Sequence, residues 1–223
     1  ALAAVTSGSQ NIAIGSYALQ TLDDATLNTA VGFNALQANV SGGSNTAIGA
    51  HALGVNTAAN NTGVGVQALG ANTSGDDNTA VGKNSLNANT SGTTNTAVGC
   101  YTLETNTVGV ANTAIGHAAL NLNTASNNTA VGAASLDANS TGTNNVGVGV
   151  GALGANTTAD GNTAVGVYAL LANTGADSDN NTACGFEALK ANTTATNNSA
   201  VGAGSLKVNT TGTRNTAMGK NSL

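Results

Sequence analysis

The chain has 223 residues, a formal net charge of −5 and only five Lys and Arg residues in total. Nucleic-acid binding needs a basic surface to neutralise phosphates, so this charge balance excludes nucleic acid as a partner. Aromatic residues make up 2% of the chain, Trp and Pro are absent and Gly occurs 30 times, so the large aromatic side chains that help to fill a globular core are scarce and any core must be thin. No apolar run approaches the ~20 residues of a membrane span, and we expect no direct membrane insertion of this segment.

A five-residue phrase close to Asn-Thr-Ala-Val-Gly occurs thirteen times along the chain, at intervals of 16, 17 or 19 residues. Self-similarity of this length is typical of a solenoid, in which each repeat forms one coil against its neighbours. We predict one repeat array over residues 1–223, an all-β parallel β-solenoid (β-roll) of about thirteen coils of about 17 residues, and expect it to be a segment of a longer fibre. The repeats begin at Asn11, Asn28, Asn45, Asn61, Asn78, Asn95, Asn112, Asn128, Asn145, Asn162, Asn181, Asn198 and Asn215.

Within a repeat, positions are numbered here from the first Asn. Position 3 is Ala or Gly, position 4 is Val or Ile except at Cys184 and Met218, position 5 is always Gly and position 9 is always Leu. This pattern predicts two short strands per coil, over positions 2–6 and 7–11, joined by tight turns. The Asn residues at positions 1 and 12 are predicted to form ladders between coils, because buried amides must be hydrogen-bonded.

In a strand, alternate residues point to opposite sides, so position 4 faces one way and positions 3 and 5 face the other. Neither side is polar, because one presents Val and Ile and the other presents Ala and Gly. One arrangement puts Ala and Gly inside the coil and leaves a row of Val and Ile, about 60 Å long at one strand spacing per coil, that needs a partner outside it. The other puts Val, Ile and Leu inside, with Ala and Gly outward. The first predicts symmetric self-association. Cys184, which takes the place of Val, is interpreted as a small core side chain.

The segment from Asn28 to Leu36 resembles the Ala-Ile-Gly-type repeats in the heads of trimeric autotransporter adhesins, and it is similar to arrays in phage tail fibres and related bacterial surface fibres. The likeness covers essentially the whole chain, although the repeat here is longer than is typical of those heads. It implies a homotrimer of parallel β-rolls, located outside the cell, on the cell surface or on a virion. The implied function is the structural shaft or head of an adhesive fibre, with host-surface glycans or proteins as partners.

Catalytic and metal chemistry have little support in the sequence. His51 and His117 lie four coils apart, roughly 19 Å at one strand spacing per coil, so they cannot share a metal ion or a catalytic triad. The acidic pairs fall in turn regions, where Asp is common for conformational reasons. We expect no enzymatic activity, no cofactor and no metal site.

Aromatic residues are the candidate contacts for a surface ligand. All five fall at positions 6 or 7, where the sequence varies most, and exposed aromatic rings beside amides suit the faces of sugars. The candidate glycan contacts are Tyr17, Phe33, Tyr101, Tyr168 and Phe186.

Ice binding is the alternative function, because a flat solenoid face that bears a row of Thr can order water. The row predicted for this role lies at position 13 and is interrupted by Val40 and Ser140. Its members are Thr57, Thr73, Thr90, Thr107, Thr124, Thr157, Thr174, Thr193 and Thr210.

Overall fold

In a computed structural model of the chain, which describes residues 6–223, each repeat contributes one three-residue strand and no helix occurs in that range. The chain divides into two compact units, unit 1 over Ala1–Ala111 and unit 2 over Asn112–Leu223. The predicted all-β parallel β-solenoid is confirmed, with β1 to β6 in unit 1 and β7 to β13 in unit 2. The strands are β1 (Ile12–Ile14), β2 (Thr29–Val31), β3 (Thr46–Ile48), β4 (Thr62–Val64), β5 (Thr79–Val81), β6 (Thr96–Val98), β7 (Thr113–Ile115), β8 (Thr129–Val131), β9 (Val146–Val148), β10 (Thr163–Val165), β11 (Thr182–Cys184), β12 (Ser199–Val201) and β13 (Thr216–Met218).

Successive strands within each unit pair in parallel with equivalent positions side by side. In unit 1 Thr29 lies opposite Thr46, and the shortened 16-residue repeat keeps the same register, with Thr46 opposite Thr62. In unit 2 the 19-residue repeat does so too, with Thr163 opposite Thr182. Missing and extra residues are therefore absorbed by the turns, and the strand register is unaffected.

The second predicted strand, over positions 7–11, is wrong: this part of each coil is a succession of turns. Residues at positions 7 and 9 have positive φ, such as 60° at Tyr17 and 49° at Leu36, whereas a β-strand needs negative φ throughout. Leu rarely adopts this conformation, but Leu36 is fully buried and the apolar burial offsets the strain. At position 5, Gly32 has φ of 139°, and a Cβ there would lie 2.5 Å from the carbonyl oxygen of Gly49, so only Gly fits.

The core of each coil consists of the small residue at position 3 and the Leu at position 9. In one coil Ala80 and Leu86 are fully buried, while Val81 between them in sequence remains 36% exposed. The arrangement with Ala inside and Val or Ile outside is thus confirmed, and the alternative with Val and Ile inside is wrong. Cys184 is exposed, so its interpretation as a core residue is also wrong, because position 4 faces outward.

The two predicted Asn ladders are present and differ in their bonding. At position 1, the side-chain Oδ1 of Asn28 accepts a hydrogen bond from the backbone N–H of Asn45, 2.9 Å away. At position 12, amides bond directly, as where the Nδ2 group of Asn89 donates to Oδ1 of Asn72 at 2.7 Å. Most residues at both ladder positions are buried, so these bonds satisfy most of the polar groups that water does not reach. Nδ2 of Asn28 and Oδ1 of Asn106 are the exceptions, with no hydrogen-bond partner in the described chain.

Candidate functional site

The outward side of the strands, called here the strand face, consists of the side chains at positions 2 and 4. In both units position 4 presents an unbroken row of apolar or sulfur-containing side chains, from Ile14 to Val98 in unit 1 and from Ile115 to Met218 in unit 2. Val81 is 36% exposed and Ile115 is 41% exposed. Each unit therefore carries a continuous apolar stripe, one side chain wide, on its surface.

Two rows of Thr differ in whether their hydroxyl groups form hydrogen bonds within the chain. In the position 13 row, predicted for ice binding, hydroxyls donate to the backbone carbonyl of the next coil, as where Thr73 donates to Thr90 at 2.9 Å. The residues with this bond are Thr57, Thr73, Thr90, Thr124, Ser140 and Thr193. At position 2, by contrast, the half-buried Thr46 and Thr79 make no side-chain hydrogen bond within the described part of the chain. Most of the position 13 hydroxyls that were predicted for ice binding are therefore engaged within the chain, whereas those of Thr46 and Thr79 on the strand face are open to an external partner.

The five predicted aromatic contacts are brought together only in part. Tyr17 and Phe33 meet edge to face, with ring centroids 5.9 Å apart, and Phe33 meets His51 in the same way at 5.3 Å. We call these three residues the ring cluster. Sequence reasoning did not include His51 as a ligand contact, although it occupies the same position 7 as Tyr17.

The other predicted aromatic contacts lie apart from the ring cluster. The ammonium of Lys83 lies 5.7 Å from the ring centroid of Tyr101, and Lys190 lies at the same distance from Tyr168 in unit 2. Phe186 is 54% exposed and, within residues 6–223, contacts neither a second ring nor a cation. Tyr101 and Tyr168 thus each contact a lysine ammonium and are not part of the ring cluster.

A groove of about 480 Å³ adjoins the ring cluster in unit 1. It was not predicted from the sequence, but the signal is present there: position 10 carries Gly in two successive coils, between coils that carry Gln and Asn. Its lining includes Gln37, His51, Gly54, Gln67, Gly70 and Asn87.

Charged side chains cluster in unit 2 around Glu187. Its carboxylate lies 2.6 Å from the ammonium of Lys190 and 2.6 Å from that of Lys207. The hydrogen bonds from Lys190 and then Lys207 lower the pKa of Glu187, with a smaller opposing effect from burial. The carboxylate is thus held charged, in an ion-pair arrangement typical of a structural contact.

The pKa of Asp137, also in unit 2, is shifted in the opposite direction. Burial raises its pKa, and hydrogen bonds involving the backbone of Asp137 and Ala138 offset part of the rise.

Carboxylates in the turns can accept hydrogen bonds from the preceding coil, as where Oδ1 of Asp76 accepts from the N–H of Ala59 at 2.7 Å. This agrees with the conformational role that the sequence predicts for Asp in turns.

Residues 6–223 include neither a cluster of metal ligands nor a membrane-spanning helix. No group of three or more His, Cys, Asp and Glu side chains in that range could hold a metal ion. No helix in the same range has the length and apolar character needed to cross a bilayer. Compared with models of protein families, with curated proteins and with solved structures, the chain shows no match.

Proposed function

We propose that this chain is part of an extracellular adhesive fibre, of the bacterial surface adhesin or phage tail-fibre type, in which three copies associate along the strand face. In this proposal the array is a shaft or head that holds or forms a region that binds host surfaces. The likeness of its repeats to those of trimeric adhesin heads supports the same class of function.

The apolar stripe at position 4 is the observation that carries this proposal. A stripe of partly exposed Val and Ile that extends through every coil of a unit is unfavourable in water, because burying apolar surface is worth about 25 cal/mol per Å². The strand face is only two outward side chains wide in each three-residue strand. The choice of three copies follows the likeness to trimeric adhesin heads, and an in-register threefold arrangement would make equivalent contacts in each coil.

The two Asn ladders support a mechanical role. Within each unit they join most successive coils through hydrogen bonds between side chains or from side chain to backbone, in addition to the backbone ladder, and such bonds fix the register of the stack. Because coils contact mainly their neighbours, the length of the array grows with repeat number while each new interface adds stability. These are the properties needed in a spacer that holds a binding region away from a surface.

The first experiment is the mass of the soluble chain by light scattering, with electron microscopy of the same sample. We expect a homotrimer with an elongated shape. Replacing Val81 and Val98 with Asp places charges in the stripe, so this variant is expected to shift the mass towards a monomer. A wild-type monomer at micromolar concentration would overturn the proposed assembly.

Cys184 offers an independent test, because it occupies position 4 and is exposed. In a parallel, in-register trimer, Cys184 of each copy lies at the same height on the axis, so mild oxidation is expected to link two of the three chains through a disulfide. Cys184→Val should abolish the linked species on a denaturing gel. Cys100→Val is the matched control and should leave it unchanged, since Cys100 lies at position 6, outside the strand face.

Ice binding stays a second proposal, now for the strand face. The position 2 hydroxyls are open there and lie beside the methyl groups of position 4, in rows spaced by one strand separation of about 4.8 Å. A regular, flat array of hydroxyl and methyl groups can order water. Since a trimer would bury this face, a monomer that shows thermal hysteresis, and loses it in Thr79→Lys, would favour ice binding over the fibre.

A further inference from the structure

We propose that the groove in unit 1, together with the ring cluster Tyr17, Phe33 and His51, binds a short neutral oligosaccharide. The inference rests on the proposed adhesive function and deepens it by naming a ligand class and its site. The groove lining includes no strand residue, so this site and the proposed seam between copies use different side chains.

The groove exists because a row of side chains is interrupted. At position 10 the first coils carry Gln20 and Gln37, whose amides bond to each other at 3.1 Å. The next two coils carry Gly54 and Gly70, which have no side chain to continue the row, and Asn87 then resumes it. From Gln37 to Asn87 the gap spans three coil steps, roughly 14 Å at one strand spacing per coil, a length suited to a few sugar rings in line.

Amide groups supply the polar contacts that a sugar requires. Gln37 lines one end of the gap, Asn87 the other, and Gln67 lies between them at position 7. Within residues 6–223 the side-chain amides of Gln67 and Asn87 make no hydrogen bond, and the Oε1 atom of Gln37 likewise accepts none. Each amide offers both a donor and an acceptor, which matches the mixed character of sugar hydroxyls.

The ring cluster supplies the apolar contact. Tyr17 is 50% exposed and Phe33 is 47% exposed, and the ring of Phe33 packs against His51, which itself lines the groove. The cluster therefore leads from the outer surface into the amide-lined gap. Aromatic rings beside a few convergent polar groups form the usual composition of a small-ligand site, and the C–H faces of pyranose rings pack on such rings.

The charge of the groove selects among sugars. None of the described lining residues is Lys, Arg, Asp or Glu, and the chain as a whole carries a net charge of −5. A sialylated or sulfated glycan would bring negative charge to a site with no fixed cation to pair with it. Neutral hexose and N-acetylhexosamine chains are therefore the predicted ligand class.

The position 10 row of unit 2 is interrupted differently and provides an internal comparison. There a single Gly154 interrupts position 10, and the side chain of Leu171 comes within 3.2 Å of where a Cβ on Gly154 would lie. The interruption is thus already filled by the next coil. Phe186, at position 6 like Phe33, is exposed to a similar degree without a ring partner in the described chain.

The experiment uses the full chain on an array of immobilised neutral oligosaccharides of hexose and N-acetylhexosamine, beside sialylated and sulfated ones, followed by titration calorimetry with the best neutral binder. Gly54→Gln is designed to fill the groove. A Cβ at Gly54 would meet nothing closer than 3.4 Å, an ordinary contact, so the variant is expected to fold. We expect it to weaken neutral-sugar binding at least tenfold, with Phe33→Ala weakening binding about as much and Phe186→Ala leaving it unchanged.

The proposal is overturned if no neutral oligosaccharide binds, if only acidic ones bind, or if Gly54→Gln with an unchanged melting temperature binds as well as the wild type. Light scattering separates this outcome from failure of the proposed fibre. A trimer that binds no neutral sugar contradicts only the sugar site, whereas a monomer that binds sugar through the groove contradicts only the trimeric assembly.

Discussion

The coils of unit 1 and unit 2 have the same internal structure and differ in the side chains on their surface. Both have fully buried Ala and Leu at positions 3 and 9, both have Asn ladders, and both present the apolar stripe at position 4. At positions 7 and 10, however, unit 1 carries rings and amides around a groove, while unit 2 carries the ion pairs of Glu187 and the filled gap beside Leu171.

This difference shows that the scaffold leaves the turn surface free to vary. Positions 6, 7 and 10 do not contribute to the Ala and Leu core or to the Asn ladders, so substitutions there change the surface and preserve the coil. The recurring residues determine stability, and the variable residues are available for recognition. The two units should therefore respond equally to changes in the core and differently to changes on the turn surface.

The largest loss of stability is expected from substitutions that create a cavity in the core. Leu86→Ala in unit 1 and Leu153→Ala in unit 2 each remove a fully buried side chain, which should cost about 2–5 kcal/mol of unfolding free energy. Urea unfolding followed by circular dichroism measures both. Val66→Ala, at an exposed site in unit 1, is the control and should change stability by no more than about 0.5 kcal/mol. Clearly unequal losses would mean that the two cores are not equivalent.

A smaller, again matched, effect is expected from breaking the position 12 ladder. Asn72 donates to Asn56 and accepts from Asn89, and Asn156 in unit 2 donates to Asn139 in the same way. Replacing Asn72 or Asn156 with Ala leaves buried partners unsatisfied and should cost about 1–3 kcal/mol. Hydrogen exchange of the adjacent coils is the second measurement. Unchanged protection there would contradict a role for the ladder in joining coils.

Glu187→Gln should destabilise unit 2 modestly at neutral pH, because it removes the charge that pairs with Lys190 and Lys207. The pKa of Glu187 is lowered in the folded chain, chiefly by Lys190 and then by Lys207, so its stabilisation is present above the ordinary glutamate pKa. That stabilisation is lost as the pH falls through the lowered value. Melting temperatures from pH 7 down to pH 3 should therefore converge for wild type and variant. Added salt should reduce the difference at pH 7, because exposed ion pairs are screened.

Asp137→Asn is expected to have the smallest effect and the opposite sign. Burial raises the pKa of Asp137, so this residue favours folding below the ordinary aspartate pKa, and that contribution is lost as the pH rises through the raised value. The variant should therefore melt slightly higher than the wild type at pH 7 and not at acidic pH. Asn87, at the same position 10 in unit 1, shows that an amide is accommodated there. A lower melting temperature at pH 7 would contradict the burial argument.

The sequence was sufficient to predict the parallel solenoid and its Asn ladders, but it left open whether Ala or Val faces the core. The interval of about 17 residues predicted the parallel solenoid. The alternation of side chains along a strand predicted that Val81 would point away from Ala80. The second strand was wrong because residue types alone did not reveal the positive φ at Leu36, which only the closure of the turn requires. Periodicity identifies what recurs and is less informative about how the chain bends between recurrences.

The candidate site was only partly predictable. Tyr17 and Phe33 were singled out as residues but not as neighbours, because their contact depends on adjacent coils bringing position 7 beside position 6. The groove arises because Gly54 and Gly70 have no side chain at position 10. In a chain with 30 Gly residues, these two are not a distinctive signal. Comparing the same position across successive coils would have exposed the gap.

The turns that absorb repeats of 16 and 19 residues have an evolutionary consequence. Where β3 pairs with β4 and where β10 pairs with β11, strand register survives a change of repeat length. Recombination between misaligned repeats of the gene would therefore join the start of one coil to the end of another and still encode a properly stacked product. A population can in this way vary the reach of the molecule by whole repeats, and reshuffle its surface residues, without passing through misfolded intermediates.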